Sequence, residues 1–225
     1  MVRNVEPQSL HTIISKFKNE YPIAKNKPMI SKKTLWDCFL KYTPEDYIID
    51  ERNEKIIRTL MRYFRGSEDF NDDGLILSKP DLKKGILIFG DYGIGKTLLF
   101  NILNIAGDDL FKNNGFLRMR FKSISSVSFV EDYMKSTKVD NSTFDLKNYQ
   151  FRPLYIDDLG FEKKAFLSFE LLAELLFERN RNKAKTYVTT NKSPKELAER
   201  YGSLIGDRLP EMFNIIKWEG ESFRE

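Results

Sequence analysis

The chain has 225 residues, 41% of them hydrophobic and 31% charged, which is enough for one domain with a real core and an appendage. Its formal net charge of +4 is compatible with a polyanionic partner but does not indicate one by itself. A single cysteine, Cys38, and a single histidine, His11, exclude an intrachain disulfide and a cysteine-based zinc cluster and argue against a histidine-based catalytic triad. No signal peptide and no long apolar segment is visible, so we expect a cytoplasmic protein that does not act at a membrane.

Residues 1–49 differ from the rest of the chain and are predicted to form a short helical extension. The polar, proline-broken stretch 21–33 has the composition of a linker. In the segment 34–47 that follows, Leu35, Trp36, Phe39 and Leu40 share one helical face. This face could pack on the main domain or dock a partner protein. We favour packing, because exposed apolar stripes are uncommon in soluble proteins.

Helices and strands alternate over residues 50–225, the predicted main domain. After a helix at 50–64, strands are predicted at 85–90, 116–121, 152–158, 185–191 and 213–220, and helices at 96–111, 123–135, 168–182 and 193–202. Strands that alternate with helices form a parallel sheet covered on both faces. The pattern therefore predicts a three-layer α/β/α domain with a five-stranded parallel sheet.

Residues 90–97, GDYGIGKT, have the spacing G-x-x-x-x-G-K-T between a predicted strand and a predicted helix. The glycines allow the backbone to fold around phosphates, Lys96 supplies a positive charge for the β- and γ-phosphates, and the Thr97 hydroxyl can hold Mg²⁺. We predict a nucleotide site formed by Gly90, Asp91, Tyr92, Gly93, Ile94, Gly95, Lys96, Thr97 and Leu98.

Polar residues follow two other predicted strands. Asp157 and Asp158 end an apolar strand, where the first carboxylate can hold the water shell of Mg²⁺ and the second can polarise an attacking water. Asn191 ends a later strand, where it can orient that water and sense the γ-phosphate. Both sites could also be simple turns. The P-loop upstream favours the functional interpretation in both cases.

Asp157 and Gly160 also fit the D-x-x-G pattern of GTPases. Those proteins read guanine with N-K-x-D, and the corresponding stretch here, residues 191–194, ends in Pro194. Proline cannot supply the base-reading carboxylate. We therefore predict that the nucleotide is ATP.

Arg208 follows a Gly-Asp pair that we expect to form a turn just ahead of the last strand. An arginine placed at a transferring phosphate stabilises its charge strongly, and one supplied by a neighbouring subunit makes hydrolysis depend on assembly. From spacing alone, a surface ion pair with Asp207 or Glu211 explains Arg208 better.

Four segments together resemble the DnaC/IstB-like branch of the AAA+ ATPases, which contains bacterial helicase loaders and transposition helper ATPases. They are GDYGIGKT (90–97), LYIDDLG (154–160), YVTTN (187–191) and the tail RYGSLIGDRLPEMFNIIKWEGESFRE (200–225). The resemblance spans about residues 50–225 and implies an AAA+ P-loop NTPase fold that lacks the C-terminal helical lid of most AAA+ proteins.

The resemblance also implies roles by position. Residues 90–97 match the Walker A loop, Asp157 the Mg²⁺-associated acid, Asp158 the catalytic carboxylate, Asn191 sensor 1, Arg208 the arginine finger and Arg224 a late arginine near the nucleotide. Asp158 departs from most AAA+ proteins, which have glutamate there. The match in GDRL raises Arg208 above the surface-pair explanation.

These roles predict a Mg²⁺-dependent ATPase that loads a replicative DNA helicase onto single-stranded DNA. ATP would hold protomers head to tail, with Arg208 of one completing the site of the next. An IstB-like ATPase that binds duplex DNA and assists a transposase is the nearest alternative. A small-molecule P-loop kinase ranks last, because TKVDNSTFDLKNYQF (137–151) lacks the arginines of an acceptor-binding lid.

Candidate DNA contacts are Arg118, Arg120 and Lys122, which alternate with apolar residues on one predicted strand but could simply face solvent.

Overall fold

A computed structural model describes residues 30–138 and 144–223 of the chain. In chain order the elements are α1 (Lys32–Lys41), α2 (Glu54–Arg65), β1 (Gly85–Gly90), α3 (Lys96–Asn114), β2 (Lys122–Ser125), α4 (Ser126–Ser136), β3 (Leu154–Asp157), α5 (Leu171–Arg181), β4 (Thr186–Thr190), α6 (Pro194–Tyr201), α7 (Ser203–Met212) and β5 (Phe213–Trp218). Two short 3-10 helices lie at Glu68–Asn71 and Leu146–Tyr149. No helix in the described ranges is long and apolar enough to cross a membrane.

The five strands form one parallel sheet in the order β2-β3-β4-β1-β5. The P-loop strand β1 lies between β4 and β5, with Ile86 opposite Tyr187 on one side and Asn214 on the other. Parallel pairing brings the carboxyl ends of all five strands to one edge of the sheet. This edge holds the residues that follow β1, β3 and β4, so the predicted nucleotide-binding residues are brought together. The predicted α/β fold with a five-stranded parallel sheet is confirmed.

Side chains of β1 alternate between two hydrophobic cores, as the twofold period of a strand requires. Ile86 and Ile88 pack in a core with helices α1, α2 and α3. Leu87 and Phe89 pack in a second core with helices α4 to α7. The sheet is therefore covered on both faces, which explains why β1 is apolar at consecutive positions.

Helix α1 packs on the domain, as the sequence interpretation favoured. Leu35 and Phe39 are buried in the same core as α2 and α3, and the Cys38 thiol lies 3.5 Å from the carbonyl oxygen of Ala106 in α3. Ser31 caps the helix, since its hydroxyl accepts a hydrogen bond from the Thr34 amide. The division of the chain at residue 49 stays a prediction.

The strand predicted at 116–121 is wrong. Strand β2 occupies Lys122–Ser125, and its first residue pairs with Leu154 of β3. The segment around the turn that leads back to the sheet carries three buried apolar side chains, those of Phe116, Met119 and Phe121. Their spacing along the sequence resembles the alternation of a strand. Helix α4 consequently begins at Ser126 rather than at 123.

The placement of Arg118, Arg120 and Lys122 on one strand is wrong for the same reason. Arg118 and Arg120 lie on the turn, and only Lys122 belongs to β2. The Arg118 guanidinium donates to the carbonyl of Phe64, and Arg120 pairs with Asp108 at 3.4 Å. These three cations do not form a row along one strand face.

The turn predicted before Arg208 is also wrong. Gly206, Asp207 and Arg208 lie within helix α7. A Cβ on Gly206 would come within 2.4 Å of the Ala198 Cβ, so this glycine allows α6 and α7 to pack closely. Glycine here serves close contact between helices rather than a turn.

Candidate nucleotide site

The loop between β1 and α3 has a backbone that only glycine tolerates at its key positions. Gly93 and Gly95 have φ angles of 75° and 89°, in the left-handed region. At Gly90 a Cβ would lie 1.7 Å from the carbonyl oxygen of Trp218 in the neighbouring strand β5. The loop thus curves tightly against the sheet and opens directly into helix α3, which begins at Lys96. A helix N-terminus in this position attracts phosphate.

Lys96 is buried to 6% exposure and connects the P-loop to strand β4. Its Nζ donates to the carbonyl oxygens of Gly90 and Asp91 at 2.9 and 2.5 Å and to Oδ1 of Asn191 at 2.6 Å. The structure therefore brings the predicted phosphate-binding lysine and the predicted sensor residue into direct contact. An ammonium has three protons, so a phosphate oxygen that binds it must displace at least one of these acceptors.

Asp157, at the end of β3, accepts hydrogen bonds from three hydroxyl groups on one carboxylate oxygen. Thr97, Tyr155 and Thr189 donate to its Oδ1 at 2.8, 2.6 and 2.6 Å. Burial and the nearby Asp157 charge raise the pKa of the Tyr155 phenol, which therefore stays protonated and donates. Hydrogen bonds to an ionised acceptor are the strong ones, so Asp157 is held firmly beside the P-loop.

Asp158 follows in a strained backbone conformation with φ of 51°. Its carbonyl accepts from the Ser126 hydroxyl at 2.7 Å, and the next residue, Leu159, is hydrogen-bonded to both Thr189 and Thr190 of β4. Such backbone conformations persist only where their surroundings fix them, and they cluster at functional sites. The chain after β3 is therefore fixed to α4 at Asp158 and to β4 at Leu159.

Sequence reasoning missed a buried network behind this loop. The Glu162 carboxylate is almost fully buried and accepts from the Gly160 amide, the Tyr201 hydroxyl and the Arg200 guanidinium at 2.9, 2.5 and 3.1 Å. Arg200 also donates to the Gly160 carbonyl at 3.0 Å. The network joins the loop after Asp158 to helix α6, which follows Asn191. Glu162 is followed by two lysines in the sequence, so nothing there indicated that its carboxylate would be buried.

Residues 219–223 lie against the P-loop through contacts of their backbone amides that the sequence analysis did not predict. The Phe223 amide donates to the carbonyl of Gly93 at 3.0 Å, and the Gly220 amide donates to the Asp91 carboxylate at 3.2 Å. The Arg52 guanidinium stacks over the Phe223 ring at 4.0 Å. Arg224, predicted to lie near the nucleotide, is outside the described residues.

The remaining predicted residues differ in exposure. Ile94 is buried in the core, whereas Tyr92 and Leu98 are 66% and 40% exposed beside the loop. Arg208 lies on α7 with its guanidinium 4.4 Å from the ring centre of Phe177 on α5. Within the described residues Arg208 does not contact the P-loop of its own chain.

The site can accommodate Mg²⁺ through hard oxygen ligands. Thr97 and Asp157 offer a hydroxyl and a carboxylate 2.8 Å apart at the start of α3. Mg²⁺ prefers one or two such protein oxygens, together with waters and nucleotide phosphates, over an all-protein cage. The described residues contain no group of three or more His, Cys, Asp or Glu side chains that could hold a metal ion.

The chain is similar to known replication proteins in sequence and in fold. The model of the bacterial DnaA ATPase domain family matches residues 77–214. No curated protein matches the chain significantly in sequence. Among solved structures, DnaI matches with 21% identity and a TM-score of 0.52 over 87% of this chain and 94% of that one.

Two further structures show the same fold. The DnaC helicase loader matches with 20% identity and a TM-score of 0.51, over 83% of this chain and 99% of that one. The replication initiator DnaA bound to AMPPCP and single-stranded DNA matches with 18% identity and a TM-score of 0.51, over 80% of this chain and 50% of that one. The predicted resemblance to AAA+ ATPases of DnaC/IstB type is confirmed. The chain belongs to the family of the bacterial DnaA ATPase domain.

Proposed function

We propose that the protein is an ATP-dependent assembly factor that loads a replicative DNA helicase onto single-stranded DNA. One observation carries the proposal: Lys96 and Thr97 of the P-loop contact Asn191 and Asp157 at the edge of an AAA+ sheet. This arrangement supports nucleotide hydrolysis. The helicase role is supported by the similarity of the fold to the DnaC helicase loader over nearly the whole of that protein.

Each residue has a distinct role in this proposal. Lys96 binds the β- and γ-phosphates of ATP, and the P-loop amides enclose them. Mg²⁺, held by Thr97 and by Asp157 through its water shell, would neutralise phosphate charge. Asp158 accepts a proton from the attacking water, and Asn191 orients that water. Because Asn191 shares a hydrogen bond with Lys96, a phosphate oxygen that takes this hydrogen bond from Asn191 frees its side chain to orient the water.

Assembly supplies the last group. Arg208 of one protomer would reach the γ-phosphate in the site of the next, so hydrolysis occurs only between subunits. Its position on helix α7, apart from the P-loop of its own chain, supports action in a neighbour. ATP would then hold protomers head to tail, and hydrolysis would release them. We also propose a cytoplasmic location, where such an assembly would meet chromosomal DNA.

A binding and loading assay tests the function. The wild-type protein, with ATP and Mg²⁺, should bind single-stranded DNA more tightly than without ATP and should increase the loading of a replicative helicase onto single-stranded circles. Lys96→Ala is the matched variant that should show no response to ATP, because no other loop side chain supplies the phosphate-facing ammonium. A preference for duplex DNA with stimulation of a transposase, and no helicase loading, would instead support the IstB-like alternative.

A further inference from the structure

A large cleft lies at the edge of the sheet opposite the nucleotide site. Its volume is about 1190 Å³, larger than the roughly 300–1,000 Å³ of pockets that bind one small molecule. It is bordered by the amino ends of β2 and β3, at Lys122 and Leu154, and by the chain leading into β4 at Lys185. Strand β3 is about 10 Å long and separates Leu154 in the cleft from Asp157 in the nucleotide site.

The cleft is strongly basic. Seven lysine and arginine residues line it, and Asp108 is the only acidic residue in that lining. Arg118 and Lys185 donate to backbone carbonyls of the cleft lining, those of Phe64 and Leu82. Lys147 and Arg152 have exposed side chains. A groove that concentrates one sign of charge attracts a polymer of the opposite sign.

Aromatic rings are interleaved with these cations. Phe151 lies between Gln150 and Arg152 and is 64% exposed, which is unusual for a phenylalanine next to a core. The Tyr149 ring also lines the cleft, and Lys122 Nζ lies 3.8 Å from its centre. Exposed rings beside backbone-binding cations are how proteins bind unpaired bases, since every base has a face that can stack.

A buried arginine fixes the shape of the cleft wall. Arg179 of α5 is fully buried, and its guanidinium donates to the backbone carbonyls of Tyr149, Arg152 and Lys185. These three residues belong to two separate segments that meet at the cleft. The basic and aromatic side chains are therefore presented from a backbone that is already in place.

From the charge, the exposed Phe151 ring and the fixed wall we infer that this cleft binds single-stranded DNA. The phosphates contact Lys147 and Arg152, and a base stacks on Phe151. The assignment rests on the proposed function, which requires such a surface, and locates it at the edge of the sheet away from ATP. Strand and nucleotide can therefore bind at the same time.

The chain's own N-terminal segment is a poor alternative occupant. Residues 1–29 contain five lysine and arginine residues and two glutamates. A basic segment does not complement a basic cleft. An anionic polymer does.

Two kinds of variant test the cleft separately. Both are titrated, as full-length protein with ATP, against fluorescently labelled oligodeoxythymidylate. The double variant Lys147→Gln with Arg152→Gln should weaken binding on the order of tenfold. It should also lower the slope of log affinity against log salt by about 1.4, because each lost phosphate contact accounts for about 0.7. Phe151→Leu should weaken binding by about tenfold and leave the salt slope unchanged, because it removes a stacking surface and no charge. Affinity for ATP should not change in either.

The charge-matched control is Lys55→Gln with Lys195→Gln. Both lysines are exposed in the first turn of a helix, α2 or α6, and neither lines the cleft. This variant should bind the strand as the wild type does. Equal losses in the control and in the cleft variant would show that the effect is net charge alone and would overturn the assignment.

Other outcomes separate the cleft from the function. If the wild-type protein binds the strand through the cleft but loads no helicase, the proposed function fails and the cleft stands. If strand binding and loading persist in the Lys147/Arg152 variant, the cleft fails and the function stands. A wild-type protein that binds no single strand, or that prefers duplex DNA, also overturns the cleft assignment, since stacking on Phe151 requires unpaired bases.

Discussion

Single residues in this domain are fixed by hydrogen bonds that join distant segments of the chain. Lys96 contacts Asn191, 95 positions away, and Arg179 joins three backbone carbonyls from two segments. Burial lowers the pKa of the Arg179 guanidinium to about 10, which still leaves it charged at neutral pH. A buried cation without a carboxylate is tolerated because carbonyl oxygens replace the water it has lost.

The free energy of unfolding of an Arg179 variant tests this explanation. Arg179→Met keeps an unbranched side chain but removes the guanidinium that donates to the carbonyls of Tyr149, Arg152 and Lys185, which should lower the free energy of unfolding by about 3 kcal/mol. Urea unfolding followed by circular dichroism measures it. Arg181→Met is the matched control on the same helix, since the Arg181 side chain is 62% exposed and pairs with Glu178 on the surface, so its loss should stay under about 0.5 kcal/mol. Equal effects of the two variants would contradict a structural role for Arg179.

At the scale of elements, α1 is held on α3 by a small polar contact within an apolar interface. The Cys38 thiol lies 3.6 Å from Oδ2 of Asp109, which Lys41 also contacts at 3.1 Å. Burial, and then the charge of Asp109, raises the pKa of the Cys38 thiol to about 11 from an ordinary 9.0. The thiol therefore reports whether α1 is docked.

Thiol reactivity measures this docking. Each pKa unit lowers the thiolate fraction tenfold, so at pH 8 the folded protein should react with a thiol reagent about a hundredfold more slowly than the urea-unfolded chain. The unfolded state loses its thiol proton first, so the contribution of Cys38 to stability is complete below about pH 9 and declines as pH rises to about 11. Cys38→Ser lacks this contribution and provides the baseline for the pH series. Equally fast labelling of folded and unfolded protein would show that α1 undocks readily.

Elements with strong local signals were predictable from the sequence. Helix α6 was predicted at 193–202 and occupies Pro194–Tyr201, with a capping box in which Ser193 and Glu196 each accept from the other's backbone amide. The edge strand β2 was not, because Lys122 and Ser123 are exposed and give no apolar alternation. The spacing of apolar residues around the preceding turn led to the wrong strand prediction at 116–121.

The site was predictable in its residue types and much less so in its contacts. Parallel strands place Asp157 and Asn191 at the same edge as the P-loop, and the alternation of strands and helices predicted that arrangement. Tyr155 and Thr189 lie within strands that were predicted to be buried, and the sequence did not indicate that their hydroxyls would contact Asp157. The hydrogen bond from Thr189 to Asp157 depends on β3 and β4 being neighbours in the sheet, and residue spacing along the chain does not predict the strand order.

At the scale of the whole molecule, the proposed ATPase is complete only as an assembly. Asp158 belongs to the same edge of the sheet as the P-loop, whereas Arg208 lies on α7 against Phe177 of α5. Asp158→Asn and Arg208→Ala should therefore each bind ATP and each hydrolyse it on the order of a hundredfold more slowly or worse. In the proposed assembly the two groups of one site belong to different subunits, and mixing the variants tests this.

Mixing the two variants distinguishes action between subunits from action within one. An Arg208→Ala subunit keeps an intact Asp158, and an Asp158→Asn neighbour still presents Arg208 to it, so some interfaces of the mixture contain both groups. Phosphate release, measured with ATP, Mg²⁺ and single-stranded DNA, should partly return in the mixture and stay low in each variant alone. A monomeric ATPase or a small-molecule kinase cannot show this recovery, because its two groups act in one chain. A mixture that forms oligomers and yet stays as inactive as its components would show that Arg208 does not act on a neighbouring site.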